Sequence, residues 1–106
     1  MTTFDDREKD FENRFKHDEE LRFKVIARRN RLLGLWAAQR MGLAADAAEA
    51  YARSVVDAEF EPGGDSAVAA KVCADLAAKG QSCTPAQLQF ELDHFAATAK
   101  QQIMTE

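Results

Sequence analysis

The chain has 106 residues and a mass of 11.8 kDa, the size of one small domain. A net charge of −4 and a pI near 5.2 argue against a generic nucleic-acid binder, and no apolar run reaches the length of a membrane span. Two cysteines, Cys73 and Cys83, do not make a disulfide framework, so we expect reduced thiols in a cytosolic protein.

The first 20 residues are densely charged but are interrupted by three phenylalanines, Phe4, Phe11 and Phe15. Drawn as a helix at about 100° per residue, these rings share a stripe within about 20° of Phe4. Thr3 and Asp6 fit a capping box, and several acid–base pairs four residues apart favour a helix. Three apolar side chains in about 15 residues make a helix that is marginal alone.

Two readings of this stripe remain open. The phenylalanines can lie against the domain's own core, or the segment can be disordered when free and become helical in a partner's groove. Asp18, Glu19 and Arg22 occupy the continuation of the stripe, so it is not simply the start of the next helix's core face.

The next predicted helix runs from about Leu21 to Met41 and stops at Gly42. Residues 21–42 contain six basic residues and no acid, whereas residues 1–20 and 43–106 carry net charges of −4 and −6. We therefore expect this basic helix to pack against acidic neighbours. Its apolar second half indicates the central helix, with Trp36 in the core and Gly34 in close contact with a neighbour.

Arginines cluster in this helix at Arg28, Arg29 and Arg31. Arg29 falls on the apolar face, so we expect it to pair with a carboxylate of a later helix, such as Asp57, Asp75 or Asp93. Arg28 and Arg31 point the opposite way, into solvent.

Three further helices are predicted. The second spans about Ala45 to Phe60 and ends at the Pro62-Gly63-Gly64 breaker. The third is capped by Asp65 and stops at Gly80. The fourth has the clearest start, with Thr84 as N-cap, Pro85 next and Gln87 completing a capping box. No segment alternates like a strand, so the fold class is all-α, a small four-helix bundle.

No pattern of a catalytic or metal site stands out. His17 and His94 lack metal-ligand spacing, there is no phosphate-binding loop, and no nucleophile has a base partner. We therefore expect no enzyme, no cofactor and no metal, and look for function in interaction.

The stretches TTFDDREKDFENRFKHDEELRFK and ARRNRLLGLWAA closely resemble the zeta subunit of the α-proteobacterial F-type ATP synthase, a natural inhibitor of its ATPase activity. The resemblance extends over essentially the whole chain and includes AYARSVVDAEFEPGGD. The motifs FDDRE, RRN and LLGLWA, in this order, are its specific part.

The resemblance implies a mobile inhibitory segment at residues 1–19 and a four-helix bundle at residues 20–106. The segment becomes helical in a catalytic α/β interface of the ATPase head near the rotor, and it blocks hydrolysis while largely sparing synthesis. The expected partners are thus the α, β and rotor subunits. The protein would be cytoplasmic and peripheral to the inner membrane, without inserting into it. The residues that match the inhibitory pattern are Phe4, Asp5, Asp6, Arg7, Glu8, Phe11 and Phe15.

One alternative of another class is a helical binding module. In that case Arg28, Arg29 and Arg31 would contact RNA, a nucleotide or another polyanion. The surrounding acidity counts against it.

Overall fold

The computed structural model describes the backbone of residues 3–106 and the side chains of residues 18–106. Its elements are α1 (Thr3–Arg40), α2 (Ala45–Ala58), α3 (Asp65–Ala78) and α4 (Pro85–Met104), and the described backbone contains no strand. The predicted all-α class with four helices is confirmed.

Helix α1 differs from the prediction in its length. It is 38 residues long and passes residues 19 and 20 without a break, so that the proposed segment and the first bundle helix form one continuous helix. The prediction that residues 1–19 are mobile concerns residues whose side chains are mostly not described by the structure.

A Schellman motif ends α1 at the predicted glycine. Gly42 has φ of +76°, and the Leu43 N–H donates to the Ala38 carbonyl at 2.9 Å. A positive φ favours glycine, and this turn sends α2 back along α1. The same arrangement ends α3 at Gly80, where Gln81 donates to Leu76.

The start of α3 was predicted wrongly. Asp65 is the first residue of the helix rather than its cap, and the preceding Gly64 provides no side-chain cap. The Asp65 carboxylate is bonded instead to Arg29 of α1. The predicted capping box of α4 is confirmed, with Thr84 Oγ1 accepting from the Gln87 N–H at 3.1 Å.

The core lies where α1 meets the other three helices. Its fully buried side chains come from all four helices, and the largest are Leu33, Val55, Val68, Val72, Leu76 and Leu88. Trp36 is half-buried and packs against the edge of this core, with its ring 6.4 Å from that of Phe95. The prediction that α1 is the central helix therefore holds, although its tryptophan lies at the periphery.

Helix α1 approaches α2 closely at Gly34. A Cβ built there would lie 2.6 Å from the Ala52 Cα, well inside van der Waals contact. The predicted close packing at Gly34 is confirmed.

Candidate functional site

The residues predicted to bind a partner lie near the start of α1. The side chains of Phe4, Asp5, Asp6, Arg7, Glu8, Phe11 and Phe15 are outside the described residues. From Thr3 onward their backbone is helical, and it continues directly into the buried part of α1. The contacts that hold α1 in the bundle therefore also hold the base of the predicted segment.

Arg29 holds α1 to the turn that joins α2 and α3. Its side chain is buried, and Nη2 donates to Glu59 Oε1 at 3.0 Å and to Asp65 Oδ1 at 2.7 Å. Asn30, fully buried beside it, accepts from Arg29 Nε at 3.0 Å and donates to Glu59 Oε1 at 2.8 Å. Each carboxylate belongs to a different helix end, so the network fixes three elements together.

The electrostatics of the two carboxylates differ. The hydrogen bond from Arg29 holds the pKa of Asp65 below its ordinary value. Burial raises the pKa of Glu59, although the hydrogen bond from Asn30 lowers it in part. Because a buried cation needs such partners, these contacts give Arg29 a role in holding the fold together.

The predicted pairing of Arg29 with a carboxylate is confirmed, but the named partners are wrong. Asp75 instead accepts from Tyr51 at 2.8 Å and from Lys71 at 3.1 Å, and Asp93 accepts from Gln89. The actual partners are Glu59, just after α2, and Asp65, the first residue of α3. Helical projection of α1 gave no information about how these two helix ends fold over it.

The other two arginines of the cluster are paired within the chain. Arg28 bonds Gln102 and Glu106 near the C-terminal end of α4, and Arg31 bonds both carboxylate oxygens of Glu49 at 2.9 and 3.1 Å. A polyanion at this cluster would have to compete with these carboxylates, and Arg29 is buried. The proposed polyanion site stays a prediction, and no contact among these residues favours it.

An exposed aromatic pair was missed by the sequence analysis. Phe23 of α1 is 50% exposed and Phe60, just after α2, is 68% exposed, with their ring centroids 5.7 Å apart. A shallow groove of about 500 Å³ adjoins Phe23, with Ala27, Val56 and Ile103 among its lining residues. The signal in the sequence was Phe60 itself, a large apolar residue next to a helix breaker, where burial is difficult.

In the part of the chain that the structure describes, the other titratable side chains do not come together in one site. Burial and the Asp75 carboxylate raise the pKa of Tyr51, and burial raises the pKa of the Cys83 thiol. Within the described residues, no cluster of histidines, cysteines and carboxylates could hold a metal ion. Nor does any helix there have both the length and the apolarity needed to cross a membrane.

Comparison with known proteins gives the family. The model of the family described as ATPase inhibitor subunit zeta matches residues 1–102. The chain belongs to the zeta family of ATPase inhibitor subunits. The chain is therefore related to a regulatory, inhibitory subunit, and the resemblance seen in its motifs is confirmed.

A solved structure agrees with this fold. A protein solved by solution NMR shares 41% sequence identity with the chain and has a TM-score of 0.70; the match covers 80% of this chain and 96% of the solved one. No curated protein gives a significant match.

Proposed function

We propose that this chain inhibits ATP hydrolysis by the F-type ATP synthase by placing residues 1–19, as a helix, into a catalytic α/β interface of the ATPase head. The site lies near the rotor, so the partners are the α, β and rotor subunits. Hydrolysis-direction rotation is blocked and synthesis is largely spared, as with a pawl. The chain itself performs no catalysis and reaches the inner membrane only through the synthase.

One observation carries this proposal beyond family membership, namely that α1 is continuous from Thr3 to Arg40. An inhibitory helix that blocks rotation must be held against the force of the rotor. An unbroken helix that continues into the bundle holds it better than a flexible tether would. The Arg29 network and the close contact at Gly34 fix the C-terminal half of that helix in the bundle.

The chemistry of the segment is suited to a cleft. The phenylalanines supply large apolar surfaces, and the alternating charges between them set the register of docking. Phe4, Phe11 and Phe15 are the proposed main contacts, and Asp5, Asp6, Arg7 and Glu8 the proposed polar ones.

The test is the double variant Phe11→Ala/Phe15→Ala, added to inhibitor-depleted synthase. We expect its half-inhibitory concentration for hydrolysis to rise at least tenfold, because hot-spot aromatics contribute more than 1 kcal/mol each. ATP synthesis should change little with either protein. The matched control is Phe90→Ala, which removes a phenylalanine that is 68% exposed on α4.

Equal potency of the double variant and the wild type would contradict the assigned role of the segment. Circular dichroism of both variants must show unchanged helicity and melting. If the double variant melts lower, its rings belong to the chain's own core, which is the other reading of the stripe.

A further inference from the structure

The exposed aromatic pair has no evident role in the fold. Phe60 is 68% and Phe23 50% exposed, although the rings contact each other across α1 and the end of α2. Interaction sites typically expose apolar surface to water. Here two separate elements contribute that surface, and their two rings contact each other. We call Phe23 and Phe60 the aromatic patch.

We infer that the aromatic patch docks on the rim of the cleft that receives residues 1–19, as a second contact with the ATPase head. This inference rests on the proposed function. It assigns part of the affinity to the bundle, whereas the proposed function assigns it to the segment alone.

The first argument is distance along one helix. Phe23 follows Glu19, the end of the segment, by four residues, which is about 6 Å at 1.5 Å per residue. Because α1 is unbroken there, a partner that encloses the segment up to Glu19 has its rim beside Phe23. A patch that adjoins a cleft entrance is well placed to add contact area at little further cost in orientation.

The second argument excludes the chain's own segment as the occupant. Residues 4–15 could cover Phe23 only by folding back on it, and that requires a break in α1 between residues 16 and 22. The helix is continuous through those residues.

The third argument concerns a second copy of the chain. The exposed parts of these two residues, 50% and 68%, amount to roughly 180–300 Å², because a phenylalanine buries about 150–250 Å² when fully covered. A stable dimer buries about 800 Å² on each partner. The patch is thus too small to hold a dimer, but its size suits an accessory contact next to a larger interface.

The charge beside the patch gives the chemistry of the partner. Lys24 follows Phe23, is exposed, and forms no ion pair with any described residue. The surface that fits is an apolar recess for the two rings with a carboxylate at its edge.

The experiment compares full-length Phe60→Ala with full-length Phe90→Ala. The two phenylalanines are equally exposed, at 68%, and only Phe60 lies in the patch. We expect Phe60→Ala to raise the half-inhibitory concentration about five- to thirty-fold through faster dissociation, and Phe90→Ala to leave it unchanged. A photo-crosslinking amino acid at position 60, and not at position 90, should capture the ATPase head.

Each other outcome overturns the inference. Equal potency of the two variants shows that the patch touches nothing in the complex. Stronger inhibition by Phe60→Ala shows that the patch had retained the chain's own segment. A concentration-dependent mass in ultracentrifugation that Phe60→Ala abolishes shows that a second copy is the occupant. The proposed function fails separately, if Phe11→Ala/Phe15→Ala stays fully potent.

Discussion

Arg29 shows how a charge can be kept inside a small helical core. Its guanidinium meets two carboxylates from different helix ends, and Asn30 satisfies both Arg29 Nε and Glu59. No buried polar side-chain atom among the described residues lacks a hydrogen-bond partner. Removing Arg29 would leave the desolvated Glu59 without its cation, so the junction of α1, α2 and α3 depends on Arg29 more than on any other member of the network.

Arg29→Ala should therefore cost far more stability than Arg28→Ala. We expect a loss of about 3 kcal/mol in the free energy of unfolding for Arg29→Ala, because Glu59 is left desolvated and without its cation. Arg28 forms a surface pair with Glu106, so Arg28→Ala should cost about 0.5 kcal/mol. Urea unfolding followed by circular dichroism measures both, and similar losses would show that the Arg29 network is no stronger than a surface pair.

The sequence predicted this residue's behaviour only in part. The apolar neighbours of Arg29 on a helical projection show that it needs a carboxylate. They do not show which one, since that depends on how the turn between α2 and α3 folds over α1. Asn30 was not singled out either, because an isolated asparagine in a helix carries no pattern of its own.

At the scale of elements, local signals set the helix ends well. The capping box at Thr84 and the glycines at positions 42 and 80 act within one turn of the chain, so sequence alone locates them. The predicted end of α2 was two residues too late. The N–H groups of Glu59 and Phe60 donate to the carbonyls three residues before them, and not four as in an α-helix. The continuity of α1 was missed since its apolar face changes register near Asp18.

Gly34→Ala tests the contact between α1 and α2. Alanine favours a helix by about 1 kcal/mol over glycine, so an exposed site would be stabilised. Here the new methyl group would lie 2.6 Å from the Ala52 backbone and 3.2 Å from Val55 Cγ2. Because backbone cannot move aside locally, we expect a net loss of about 1–3 kcal/mol in the free energy of unfolding.

The matched control for this contact is Gln39→Ala on the exposed face of the same helix. It should stay within about 0.5 kcal/mol of the wild type. A Gly34→Ala protein that melts at or above the wild-type temperature would show that α2 moves away from α1 readily. The inhibitory segment, residues 1–19, would then be held less firmly by the bundle than proposed.

The whole molecule is organised by charge. Basic residues of α1 bond acids from each later part of the chain: Glu49 of α2, Glu59 and Asp65 at the α2–α3 turn, and Glu106 at the end. The predicted packing of a basic helix against acidic segments is therefore confirmed for residues 43–106. The acidic stretch that precedes it has its side chains mostly outside the described residues.

This layout predicts how stability depends on pH, and the two carboxylates on Arg29 act in opposite directions. The pKa of Asp65 is lower in the folded chain than its ordinary 3.8, so its contribution is present above pH 4 and is lost as pH falls through the folded value. The pKa of Glu59 is raised above its ordinary 4.5. The folded chain therefore binds that proton first, and the contribution of Glu59 grows as pH falls towards 4.5.

The free energy of unfolding of the wild type should consequently rise slightly as pH falls from 7 to about 4.5, and it should fall below about pH 4. Asp65→Asn should lose about 0.2–1 kcal/mol at pH 7, a surface-pair value because the Asp65 side chain is 61% exposed, and its curve should fall less steeply below pH 4. Glu59→Gln should retain the fall in stability at low pH. Urea unfolding at half-unit steps from pH 3 to 7 measures all three curves. An Asp65→Asn curve parallel to the wild type would mean that acid destabilisation arises elsewhere, and that Arg29 holds α1 in place through Glu59 alone.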